Sequence, residues 1–151
     1  MNLQKIIELA QKSAAHVKQW DEQCFDLTNG ETEKAYIFRS SDRTGIREEE
    51  FIAASILRVF EILGFSQEEK KSNLQYVKID WLQSDAQIGH GKRYIDPRES
   101  LHILGRYNVT FPGAERIEAL CEIDLSTGLC DSFCVGRTDR EYLSLYWYTT
   151  G

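Results

Sequence analysis

Three carboxylates, Glu118, Glu122 and Asp124, recur at two- and four-residue steps through the segment RIEALCEIDLSTGLCDSFCVGR, Arg116 to Arg137. They alternate with Ile117, Ala119, Cys121, Ile123 and Leu125. That period of two predicts a strand over 116–125 with one apolar side and one side carrying the acids. The DLSTG segment, Asp124–Gly128, supplies a reversal in which Gly128 takes positive φ. A returning strand would then bring Asp131 to the same acidic side. On the last strand Tyr142, Tyr146 and Tyr148 alternate with Leu143, Leu145 and Trp147. If the leucine side packs inward, the three phenols stand open beside the acids. The chemistry this offers is recognition: carboxylates attract a cationic partner and tyrosines supply contact area at low entropic cost. Directly opposed like charges cost about 0.2–1 kcal/mol per pair, so such a cluster is a candidate for retention by a partner. If the sheet is covered on both sides, the same rings are core.

Other reactive types are less well placed. His90 lies between Gly89 and Gly91 and is followed by Lys92 and Arg93, a loop whose backbone could approach an anion. Its glycine spacing fits neither a Walker loop nor a dinucleotide fingerprint. Acid–base work would pair Asp80 or Glu122 with His90 or His102 in a sheet-lined pocket. No histidine has a partner at metal-ligand spacing, so no metal or cofactor is expected. Cys24, Cys121, Cys130 and Cys134 form no CxxC pair, and Cys130 and Cys134 share a strand face about 13 Å apart, too far to bridge. Reduced thiols and a cytoplasmic location follow as the expectation, with no cysteine at a helix N-terminus to make a nucleophile.

The elements that must position these residues can be read in order. Leu3, Ile6, Ile7, Ala10, Ala14 and Val17 form the buried stripe of a first helix. From Asp21 to Glu33 the chain turns acidic, and Asn29-Gly30 predicts a small hairpin between segments around 25–27 and 35–38. A second helix starts near Thr44 or Ile46, places Glu48, Glu49 and Glu50 at its positive end and stops at Gly64. Its sequence is apolar nearly all round. Ser66 to Glu69 reads as the capping box of a short third helix ending near Ser72. Alternation resumes at Val77, Ile79 and Trp81. Residues 85–93 read as a loop, and Asp96-Pro97-Arg98-Glu99 as one helical turn. Strands follow at 107–111, 116–125, 129–135 and 142–149.

Two N-terminal helices plus a short third, followed by antiparallel strands, predict a single α+β domain over residues 1–151, with helices packed on a curved four- to six-stranded sheet. A cystatin-like or NTF2-like layout satisfies that order. The 151 residues carry 18 Lys and Arg against 24 Asp and Glu, net −6, with the excess shared between both halves. Such a field repels phosphate backbones and anionic headgroups, so neither nucleic acid nor membrane is the expected partner. The amphipathic N-terminal segment does not read as a secretory signal. The sequence therefore points to a non-enzymatic protein-binding module, an inhibitor or immunity (antidote) protein that neutralises a basic partner such as a toxin or nuclease. Its alternatives are a pocket protein that binds or transforms a small molecule, and a homodimer in which the tyrosines meet their symmetry mates.

Overall fold

The computed structural model describes residues 3–14, 20–26, 32–40, 47–74, 92–94, 119–123, 125 and 127–150. Over these the chain forms three helices packed on an antiparallel sheet. The elements are α1 (Leu3–Ala14), β1 (Trp20–Asp26), β2 (Glu33–Ser40), α2 (Glu48–Ile62), α3 (Gln67–Leu74), β3 (Lys92–Tyr94), β4 (Ala119–Ile123), β5 (Cys130–Arg137) and β6 (Tyr142–Thr149). Six strands run in the order β1-β2-β6-β5-β4-β3, every neighbour antiparallel. The C-terminal strand is thus inserted between β2 and β5, joining the N-terminal hairpin to the later strands.

Local chemistry explains the helix limits. Arg47 adopts extended backbone before α2, and its N–H donates to the Glu50 carboxylate at 3.2 Å. Glu48, Glu49 and Glu50 all sit in the first turn, where the unpaired N–H groups favour anions. At the other end Gly64 takes φ of 70°, its N–H donates to the Glu61 carbonyl, and the Phe65 N–H reaches back to the Phe60 carbonyl, both at 3.0 Å. This is a Schellman arrangement, and the hydrophobic contact that goes with it is present as Phe65 against Phe60, ring centroids 5.4 Å apart. Ser66 and Glu69 close the capping box of α3 in both directions.

One buried stripe of α1, Ile6 and Leu9, joins nearly the whole inner surface of α2: Phe51, Ile52, Ala53, Ile56, Val59 and Phe60. Together they cover Tyr36, Phe38, Phe133, Val135, Tyr142 and Tyr146 of the sheet. Phe51 stacks on Tyr142 at 5.6 Å, and the buried Ser144 hydroxyl donates to Ser55 at 2.9 Å. α2 therefore lies directly on β6. At its far end Arg58 grips Glu22 of β1 through two bonds of 2.8 and 2.9 Å.

The reverse side of the central strands is also closed to solvent. Ala35, Ile37, Cys134, Leu143 and Leu145 are all buried. Consecutive buried runs at 35–38 and 142–146 are the signature of strands covered on both faces. Two expectations change as a result. The alternation along 142–149 does not separate a wet side from a dry one, because both sides are dry over 142–146. Lys92 and Arg93, read as the end of a loop, belong to β3, which pairs with β4. The strands expected around 77–81 and 107–111, the Asn29-Gly30 turn, the Gly89-His90-Gly91 loop and the turn at 96–99 lie outside the described residues.

Candidate functional site

Each strand residue expected at the docking surface has a fate fixed by register. β5 pairs with β6 so that Asp131 stands beside Tyr148 and Phe133 beside Tyr146, all on the side facing the helices. Tyr146 is fully buried, and Tyr142 only 8% exposed. Tyr148 is half-buried and stacks on Tyr146, ring centroids 5.8 Å apart. The expected open tyrosine face is corrected accordingly. Tyr142 and Tyr146 are core residues, because α2 seals the side of β6 on which they lie.

The acids separate as well. Glu122 pairs with Cys134, which places it on the reverse side of the sheet from Asp131. The returning strand therefore does not bring Asp131 to the acids of β4. Glu122 instead stands across from Arg93 of β3, an opposite-charge cross-strand register. Glu118 and Asp124 lie outside the described residues, as do Asp80, His90 and His102. Asp131 accepts hydrogen bonds from the Tyr146 hydroxyl at 2.8 Å and from Thr127. It is half-buried and hydrogen-bonded within its own chain.

These contacts fix the chemistry of the phenols. Burial, reinforced by the adjacent Asp131 carboxylate, pushes the Tyr146 hydroxyl well above its ordinary value of 10. Burial also raises Tyr36, helped by a hydrogen bond to Cys24. Both stay protonated across the physiological range and serve as hydrogen-bond donors, not as bases or nucleophiles. Among the described residues no three His, Cys, Asp or Glu side chains gather in a way that could hold a metal ion. Among the described residues Cys24, Cys130 and Cys134 form no disulfide.

A further group of acids lies on β1, the outermost described strand on its side. β1, with the sequence WDEQCFD, holds three acids and no base, and Gln23, Cys24 and Asp26 are exposed. Its register against β2 is unbroken from Trp20 opposite Ser40 to Asp26 opposite Lys34. The cations nearest to it are largely engaged. Arg39, opposite Asp21, is bidentate with Glu141, and Arg58 is shared by Glu22 and Glu61. Among the described side chains Glu22, Asp26, Glu61 and Glu141 stand near Arg39, Arg58 and Lys34 along this edge. The signal for it was present in the sequence as the acidic turn from Asp21 onward. What the sequence lacked was the strand order that puts β1 at the margin. The chain matches no family model, no curated protein and no solved structure.

Proposed function

We propose that the chain is an acidic protein-binding module that takes a basic segment of another protein, in the manner of an inhibitor or antidote against a cationic toxin or nuclease in the cytoplasm. The observation that supports this reading is β1, the outermost of the described strands on its side of the sheet, which exposes Gln23, Cys24 and Asp26 and whose charged residues are all acids. The net charge of −6 works in the same direction over longer range. A negative field speeds encounter with a cationic surface and disfavours phosphate or anionic lipid.

Selection from a random-peptide display library tests the reading. Retained peptides are expected to be enriched in Lys and Arg, with affinity that falls between low and physiological salt. Enrichment of neutral or acidic peptides, or no enrichment at all, overturns it.

A further inference from the structure

We draw no further inference here: the strongest candidate, the row that Asp26, Lys34, Tyr148 and Asp131 form across β1, β2, β6 and β5 on the helix side of the sheet, carries nothing, because nothing in the structure shows what covers it.

Discussion

β6 and β1 belong to one sheet and both carry aromatic and polar side chains in short runs, yet they end in opposite surroundings. β6 has Tyr142 to Tyr146 buried without a break, while β1 exposes Gln23, Cys24 and Asp26. The strands themselves do not set this difference. β6 is clasped by β2 and β5 and lies beneath α2, whereas β1, among the described residues, has a strand neighbour on one side. An aromatic strand placed centrally becomes core, and an acidic strand placed marginally becomes surface. Position in the strand order decides which residues can meet a partner.

The sharpest way to break that contrast is to truncate its central member. Tyr146→Ala should lower unfolding free energy by about 3–5 kcal/mol, the range for a fully buried aromatic, measured by urea denaturation. Next comes the polar contact under α2. Ser55→Ala leaves the buried Ser144 hydroxyl without the acceptor it has in the native chain, at a cost of about 1–3 kcal/mol. The double variant Ser55→Ala with Ser144→Ala should recover much of that loss in the same assay.

Alkaline titration probes the same interior from another direction. Tyr36 and Tyr146 have folded-state values above the unfolded phenol value of 10, so their contribution is fully present below pH 10. Above pH 10 the unfolded chain releases those protons while the folded chain retains them, and stability falls by about 1.4 kcal/mol per pH unit for each phenol at its steepest. Urea midpoints measured across that range should drop, with a shallower drop in Tyr146→Phe. A flat profile, or phenolate absorbance rising near pH 10 for all tyrosines of the folded protein, would contradict the burial of these rings.

At the margin the effects shrink. Arg58→Ala removes a partly exposed tether of β1 and should cost at most about 1 kcal/mol. Hydrogen exchange should meanwhile accelerate over 20–26 and not over 142–146. Asp26→Lys should move stability by about 0.5 kcal/mol or less in either direction, as at other exposed positions. A loss comparable to that of Tyr146→Ala would mean that β1 is structural rather than presented.

Much of the scaffold was legible from residue types. The acidic first turn of α2, its stop at Gly64, the Ser66–Glu69 box and the positive φ of Gly128 all depend on near neighbours, and each is where the sequence placed it. The strands 130–137 and 142–149 were legible for the same reason. The facing of those strands was not. Tyr142, Tyr146 and Tyr148 satisfy an alternating pattern in either orientation, and only the passage of α2 over β6 selects one. The separation of Glu122 from Asp131 likewise depends on a register in which Glu122 meets Cys134, a one-residue matter that reverses every side chain. For the edge carboxylates of β1 the composition was visible, but its marginal place required knowing that the last strand inserts between β2 and β5.

The cysteines of β5 give the molecule a built-in reporter. Cys130 and Cys134 lie on one side of a single strand, the first exposed and the second only 2% exposed, with its sulfur 3.5 Å from the Ser132 hydroxyl. A thiol reagent should modify Cys130 at the rate of a small peptide and Cys134 only when the sheet parts. The ratio of the two labelling rates would then time the opening of the sheet's centre in the native chain, without any engineered residue.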